Sequence, residues 1–247
     1  MATKKTSKKS NHPYSTPALS GVYREPPYEY RDSSTAVVQF ETDAETLRNL
    51  VPEPLKPNKD NLMFVSVTDF MSSGFGRYLE AHIFTHATFQ NRVVNYSIYL
   101  ILDNDVAICG GREIWGFPKK LGRLHMNMTD DVVSASAERG GIELIKIAVQ
   151  MSEFAKPEEL SGSAEWITRK YIPSVSLGLP PEVDQLTSTV LTNINIREVY
   201  KGPATLDFGN SPADRMIEIP INKVLGGYYY RADITLPDGV VAHNYLK

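Results

Sequence analysis

The chain has 247 residues, of which 42% are hydrophobic and 22% charged, and its formal net charge is −3. This is the profile of an ordinary soluble globular protein. The single cysteine, Cys109, excludes an intrachain disulfide and most thiolate metal sites, and it favours a reducing compartment such as the cytoplasm.

Positive charge is concentrated at the start of the chain. Lys4, Lys5, Lys8 and Lys9 stand there without an acidic residue, so the first twelve residues carry +4 and the remainder carries −7. We therefore predict a disordered basic tail over residues 1–13, with no apolar stretch to form a signal peptide or membrane anchor. The acidic remainder implies no surface for nucleic acid. The sequence contains no run of about 18 apolar residues, so we expect no transmembrane helix.

The first half of the folded region shows mostly strand patterns. Thr35–Glu41 is rich in β-branched and aromatic residues, and Asp43 is placed to cap a short helix over Ala44–Leu50. Pro52 and Pro54 end that helix, because proline cannot continue the backbone ladder. The further strands predicted here are Leu62–Phe70, Ala81–Phe89, Val93–Leu102 and the short Val106–Cys109, which Gly110-Gly111 breaks.

The second half continues the β pattern. Arg139-Gly-Gly141 predicts a hairpin turn between strands Val132–Glu138 and Ile142–Met151. Two stretches have helical character, and Pro212 suits the first turn of the second one. The predicted strands are Leu186–Val199, Thr205–Phe208, Val224–Leu236 and Val240–Tyr245, and the helical stretches are Pro157–Gly162 and Ser211–Glu218.

Many strands joined by short turns predict a mainly β (α+β) fold, in which antiparallel sheets close into a barrel or cone with a few short helices. No linker or internal repeat follows the tail. We therefore expect a single domain over residues 14–247.

The segment Phe117-Pro-Lys-Lys-Leu-Gly122 holds the residues most suited to chemistry. Pro118 fixes the backbone before Lys119, and the neighbours Trp115, Phe117 and Leu121 are apolar. An amine that loses hydration in such a setting disfavours its charged form, and a neutral amine can attack a ketone to form an imine. On these residues alone, a solvated surface pair remains the commoner interpretation of two adjacent lysines.

A longer stretch around this segment resembles a known signature. Gly111-Arg-Glu-Ile-Trp-Gly-Phe-Pro-Lys-Lys-Leu-Gly122 is similar to the signature of the acetoacetate decarboxylase family. Other segments fit the family pattern in order over roughly residues 14–247: Thr42-Asp43, Val51-Pro-Glu-Pro-Leu55, Ser73-Gly-Phe-Gly-Arg-Tyr-Leu-Glu80, Leu102-Asp-Asn104, Lys201-Gly-Pro203 and Tyr245-Leu-Lys247.

The resemblance implies a role for each matching residue. Lys119 matches the lysine that forms the Schiff base, Lys120 its neighbour, and Glu80 the active-site glutamate. The family also has an arginine near its first strand. Ser33 occupies that position here, so we expect Arg31, two residues away, to bind substrate after a small loop shift. Phe117 stands where the best-known members have tyrosine, which puts the polarity of the substrate pocket in question.

The function that the resemblance implies is cofactor-independent decarboxylation of a small β-keto acid, acetoacetate to acetone and carbon dioxide, through a lysine Schiff base and an enamine. It implies no metal or organic cofactor, and it implies a large cytoplasmic homo-oligomer. Two alternatives stay open. The same lysine would serve aldol or dehydration chemistry on another oxo-acid, or the protein would be a ligand-binding barrel without catalysis.

Extended backbone would separate the two lysines. Alternate residues of a strand point to opposite faces, which puts the Lys120 ammonium roughly 10 Å or more from that of Lys119. Repulsion at that distance is worth about 1.7 kcal/mol at an effective dielectric near 20. Full burial disfavours a lysine charge by roughly 4–7 kcal/mol. We therefore expect burial to dominate the activation of Lys119.

His82 and His86 are the remaining pair that invites a metal interpretation. Their spacing of four residues in a predicted strand places both on one face but too far apart for a single ion. We interpret them as structural or surface residues.

Overall fold

The computed structural model describes residues 14–160 and 162–247, so the predicted basic tail at residues 1–13 lies outside the described residues. Sixteen strands make up most of this part of the chain. In chain order they are β1 Tyr28–Glu41, β2 Lys56–Pro57, β3 Leu62–Ser72, β4 Gly76–Phe89, β5 Arg92–Leu102, β6 Lys119–Leu121, β7 Arg123–Thr129, β8 Val132–Arg139, β9 Ile142–Gln150, β10 Glu153–Phe154, β11 Glu165–Ile172, β12 Val183–Val190, β13 Thr192–Gly202, β14 Ala204–Phe208, β15 Lys223–Leu236 and β16 Val240–Asn244.

Two α-helices interrupt the strands. Helix α1, Ala44–Leu50, has the predicted bounds, and the Asp43 carboxylate caps it by accepting from the Thr46 N–H at 2.8 Å. Helix α2, Asp105–Gly110, stands where a short strand over Val106–Cys109 was predicted, and that prediction was wrong. The Asn104 side chain accepts from the Ala107 N–H at 2.8 Å and so starts a helix there.

The two stretches with predicted helical character form single 3₁₀ turns, at Pro157–Glu159 and Met216–Glu218. Pro212 does not begin a helix. The Ser211 hydroxyl instead accepts from the N–H groups of the second and third residues after it, which holds a local turn.

One predicted strand corresponds to two strands in the structure. The stretch Leu186–Val199 covers the end of β12 and most of β13. Strand β12 pairs with β11, whereas β13 pairs with β15 in another part of the larger sheet. Leu191 lies at the break, and its N–H donates to the Ala164 carbonyl, which extends the β11–β12 pairing by one residue. Strand β11, Glu165–Ile172, was not predicted at all.

The strands form two sheets. The larger has twelve strands in the order β10-β13-β15-β1-β3-β4-β5-β11-β12-β16, with β2 beside β4 and β6 beside β5. The smaller follows the order β14-β9-β8-β7. Neighbours are antiparallel except where β5 pairs with β6 and β11.

The prediction of closure into a barrel or cone was wrong. Within the described residues, no pairing joins β10 to β16, the two ends of the larger sheet. Both edge strands are short, which limits the open edges that they present. The larger sheet buries its apolar face against the smaller sheet, so the fold forms its core from two layers without closure.

Alternation along the larger sheet separates a core face from a cavity face. On β3, Met63, Val65 and Val67 enter the apolar core against the smaller sheet, while Ser66 and Thr68 line a cavity on the opposite face. The strands therefore present a polar and aromatic row to the cavity and an apolar row to the core. Among the described residues, no helix has the length and apolar character needed to cross a membrane.

Candidate active site

The cavity has a volume of about 360 Å³ and lies between the larger sheet and the segment around Ser163. Strands β1, β3, β4, β13 and β15 supply most of its walls. Of the described residues that line it, Lys119 and Glu80 are the only ones with side chains of the Lys, Arg, Asp and Glu types. A wider, open depression of about 730 Å³, lined by Leu121 and Asp214, does not include Lys119.

Lys119 enters this cavity from β6. The strand runs parallel to β5, with Lys119 opposite Leu100, and the Lys119 side chain is only 7% exposed. Its methylenes lie against Gly111, where an added Cβ would come within 2.7 Å of Cδ and Cε of Lys119. Only glycine at position 111 leaves that path open, which explains one glycine of the signature in physical terms.

A compact turn holds the segment before Lys119. Gly111–Trp115 forms one π-helical turn, and Gly116 ends it with a φ of +81°, a backbone conformation that favours glycine. The hydroxyls of Thr168 and Thr187 donate to the Trp115 carbonyl, and the Trp115 indole N–H donates to the Pro237 carbonyl at 3.1 Å. These hydrogen bonds hold the turn in place and so fix the backbone position from which the Lys119 side chain extends.

Glu80 meets Lys119 inside the cavity. The Lys119 Nζ lies 2.8 Å from Oε2 of Glu80, and both side chains are at least nine-tenths buried. The contact is a hydrogen bond along which a proton can pass between Nζ and Oε2, and the sequence alone did not reveal it.

Lys120 points to the other face of β6. Its Nζ lies 2.5 Å from Oδ1 of Asp214, which also accepts from the Tyr99 hydroxyl at 2.6 Å and pairs with Arg139 Nε at 3.2 Å. Burial would raise the pKa of Asp214, but the hydrogen bonds from Lys120 and Tyr99 outweigh it and lower the pKa. The two lysines thus separate as expected for extended backbone, and Lys120 lies outside the cavity.

Arg31 does not reach the cavity, which corrects the expectation that it would line the pocket. Its side chain is 55% exposed and pairs with Glu29 at 3.0 Å. A β-bulge in β1 between Tyr30 and Ser33 places Arg31 and Asp32 outside and turns both flanking residues inward. Ser33 therefore occupies the wall, and its hydroxyl has no hydrogen-bond partner among the described residues.

Phe117 does line the cavity, with Lys119 Nζ 5.5 Å from its ring centroid. The hydroxyls of Tyr30 and Tyr78 also stand in the wall, and the Tyr78 hydroxyl donates to that of Tyr30 at 3.4 Å. Burial, joined by the Glu80 carboxylate, raises the pKa of both tyrosines, so both remain hydrogen-bond donors at neutral pH.

Sequence reasoning missed these two tyrosines and did not assign His82 to the cavity. Residues 78, 80, 82 and 84 alternate along β4 and all face the cavity. The signal was available, since an even spacing from Glu80 predicts that Tyr78 and His82 share its face. His82 is 8% exposed, and burial, with the Lys119 charge adding to it, lowers its pKa to about 3. Its imidazole is therefore neutral near neutral pH.

Metal coordination finds no support in the side-chain arrangement. In residues 14–160 and 162–247, no group of three or more His, Cys, Asp or Glu side chains is placed to hold an ion. His82 and His86 share a strand face but contact aromatic rings, of Trp166 and Phe64 respectively.

Comparison with known proteins identifies relatives over nearly the whole chain. The model of the acetoacetate decarboxylase family matches residues 11–246 of this chain. Acetoacetate decarboxylase 2 of Mesorhizobium japonicum is 29% identical over 244 residues, which cover 94% of this chain and 90% of that protein. Acetoacetate decarboxylase 1 of Bradyrhizobium diazoefficiens is 28% identical over 236 residues, 94% of each chain.

Solved structures with the same architecture include the acetoacetate decarboxylase from Legionella pneumophila. It matches with a TM-score of 0.88 at 26% identity and covers 95% of both chains. The enduracididine biosynthesis enzyme MppR matches with a TM-score of 0.84 at 15% identity, covering 99% of this chain and all of that one. At that identity the likeness extends to the fold alone.

Proposed function

Because the chain belongs to the acetoacetate decarboxylase family, we propose that it is a carbon–carbon lyase that decarboxylates a small β-keto acid through a Schiff base on Lys119. The observation that carries the proposal is the buried Lys119–Glu80 pair, 2.8 Å apart in a cavity with no other Lys, Arg, Asp or Glu side chain among its described lining residues. Activation of a lysine by desolvation or by a neighbouring cation is the mode known for acetoacetate decarboxylase itself.

The first step is formation of the nucleophile. Substrate entering the cavity displaces water, and the Lys119 ammonium passes a proton to Oε2 of Glu80 along their hydrogen bond. The neutral amine attacks the ketone carbon, and the carbinolamine loses its hydroxyl as water with the proton held by Glu80, which leaves a protonated imine and the Glu80 carboxylate. Because Lys120 pairs with Asp214 on the opposite face, it contributes no charge inside the cavity.

Carbon dioxide then leaves. The electron pair of the breaking carbon–carbon bond moves into the protonated imine, which becomes a neutral enamine. A proton taken up from solvent and passed by the Glu80 carboxylate to the enamine carbon regenerates the protonated imine, and hydrolysis releases the ketone and the Lys119 ammonium. The Tyr30 and Tyr78 hydroxyls stand in the cavity wall near Glu80 and would donate to the substrate carboxylate before it leaves.

No arginine holds that carboxylate in the described part of the cavity. An ion pair with a guanidinium would stabilise the ground state, whereas decarboxylation turns the carboxylate into a neutral molecule. Hydroxyl donors from Tyr30, Tyr78 and Ser33 would orient the group with less ground-state stabilisation. Phe117 supplies an apolar ring beside the Lys119 amine, which fits desolvation of the nucleophile.

The test is decarboxylation of acetoacetate together with inactivation by borohydride. The wild type should release carbon dioxide and lose activity when borohydride is added in the presence of acetoacetate, because reduction fixes the imine on Lys119. Lys119→Ala should do neither. Lys120→Ala, the matched control, should retain imine trapping. Equal loss in both lysine variants would argue against the proposal.

A second candidate is aldol or dehydration chemistry on another oxo-acid, with the same lysine. This candidate is supported by the cavity wall, whose described residues include no arginine. Ser33 occupies the position at which the family has its arginine. Incubation with pyruvate and an aromatic aldehyde separates the two. A new conjugated product without release of carbon dioxide would favour this candidate over decarboxylation.

A further inference from the structure

We propose that the physiological substrate is a β-keto acid whose ketone carries an uncharged, ring-bearing substituent, and that the ring lies against the aromatic wall formed by His82, Phe84 and Trp166. This inference rests on the proposed function for its reaction chemistry. The arrangement of the cavity beyond Lys119 and Glu80 carries it.

The cavity extends along β4, away from the reacting groups. Glu80, His82 and Phe84 all line it from alternate positions of that strand. Successive same-face residues lie about 6.8 Å apart, so the Phe84 backbone stands roughly 14 Å from that of Glu80. A four-carbon substrate held by Lys119 would leave this far part unfilled. The total volume of about 360 Å³ falls in the size range of pockets that enclose considerably larger ligands.

Aromatic rings form the wall of the far part. The His82 and Trp166 rings stack with centroids 4.8 Å apart, and the Phe84 ring meets Trp166 edge-on at 5.0 Å. Trp166 reaches this position from β11, which pairs with β5 at Asn95. Such a wall offers ring faces and edges to a further aromatic group, which packs with them in offset or edge-to-face geometry.

Polar atoms without partners lie in the same region. His82 Nε2 and Asn95 Oδ1 are buried, line the cavity and have no hydrogen-bond partner among the described residues. Asn95 is only 3% exposed, and its Nδ2 donates to the Ser163 carbonyl at 2.6 Å, which fixes Oδ1 as the free acceptor. Buried polar atoms in native proteins normally have partners, so this part of the cavity is open to solvent or a ligand and is not filled by protein side chains.

The charge distribution fixes the character of the substituent. The far part has no Lys, Arg, Asp or Glu side chain among its described residues, and His82 is neutral because burial disfavours its charged form. A charged substituent would lose its hydration there without an opposite charge to replace it. The substituent is therefore uncharged and largely apolar.

Two measurements test the inference. The first compares kcat/KM for acetoacetate and for 3-oxo-5-phenylpentanoate, which yields 4-phenylbutan-2-one. Burying a ring of that size should raise kcat/KM by about 10-fold or more, from the free energy of burying a phenylalanine-sized group. Trp166→Leu should lower that preference to near unity, and Trp166→Phe should retain part of it. Phe154→Leu, which removes an exposed ring on β10, is the matched control.

The second measurement is calorimetric binding of the product ketones, acetone and 4-phenylbutan-2-one, which needs no turnover. Tighter binding of the phenyl ketone that depends on Trp166 supports the ring subsite even if no β-keto acid is decarboxylated, an outcome that would overturn only the proposed function. Decarboxylation with no phenyl preference, or with a preference that Trp166→Leu leaves intact, would overturn the inference and leave the proposed function standing. If the protein neither prefers the phenyl compounds nor decarboxylates a β-keto acid, the inference and the proposed function are both overturned.

Discussion

The buried imidazole of His82 should make the stability of the fold depend on pH. Burial, with the Lys119 charge adding to it, lowers the pKa of His82 from 6.5 to about 3. Between these two values the unfolded chain binds more protons than the folded chain at this residue. Its contribution is therefore present in full above the unfolded pKa, and it is lost as pH falls towards the folded value.

The magnitude follows from the two pKa values. Each unit of difference corresponds to about 1.4 kcal/mol, so the whole window is worth about 5 kcal/mol. Between about pH 7.5 and about pH 4.5, which covers only part of the window, the loss should be about 3 kcal/mol. The substitution His82→Gln removes the titrating group and keeps a polar side chain of similar size.

Urea unfolding at these two pH values, at a fixed protein concentration, measures the difference. The free energy of unfolding of the wild type should fall by about 3 kcal/mol more than that of His82→Gln on acidification. His125→Gln, an exposed position on β7, is the matched control and should keep the wild-type pH dependence. If His82→Gln and the wild type lost stability in parallel, a buried neutral imidazole at this position would be ruled out.

Three further predictions address the site itself. Glu80→Gln should lower kcat by about 100-fold or more, because it removes the group that exchanges the proton with Lys119, and unchanged steady-state kinetics would refute that role. Gly111→Ala should lower kcat/KM by about 100-fold through displacement of the Lys119 side chain, whereas the neighbouring Gly110→Ala, whose nearest contact would be 3.3 Å, should have little effect. Arg31→Ala should leave kcat/KM within about twofold of wild type, since its side chain is exposed and paired with Glu29, and a large loss would restore it to the site.

Local signals in the sequence predicted the parts of the fold that depend on near neighbours. Asp43 caps α1 as its side chain and position predict, and the turn at Gly140-Gly141 joins β8 to β9. Local reasoning failed where one polar side chain changes the outcome. Asn104 caps a helix over residues whose β-branched and apolar character favoured a strand.

Long-range pairing lay beyond sequence patterns. The alternation that defines two faces predicts a sheet but not whether the sheet closes, because closure depends on which strands meet at the two ends. The smaller sheet covers the apolar face, so the core forms without a closed barrel. The bulge in β1 similarly decides whether Arg31 or Ser33 faces inward, and a one-residue change in register reverses every side chain beyond it.

The candidate site shows the same division. The segment around Lys119 was identifiable because its unusual residues lie together in the sequence. The 2.8 Å contact with Glu80 depends on β4 and β6 lying on either side of β5, a topology that spacing alone does not give. Trp166 was missed because it reaches the cavity from β11, a strand that the sequence prediction left out.

Peptide mapping of the wild-type protein after borohydride reduction with acetoacetate identifies the lysine that forms the imine. We expect a single reduced adduct, on Lys119, because that amine alone among the described lysines enters the cavity. An adduct on Lys120, whose amine pairs with Asp214 on the opposite face, or no adduct on any lysine while carbon dioxide is still released, would contradict it.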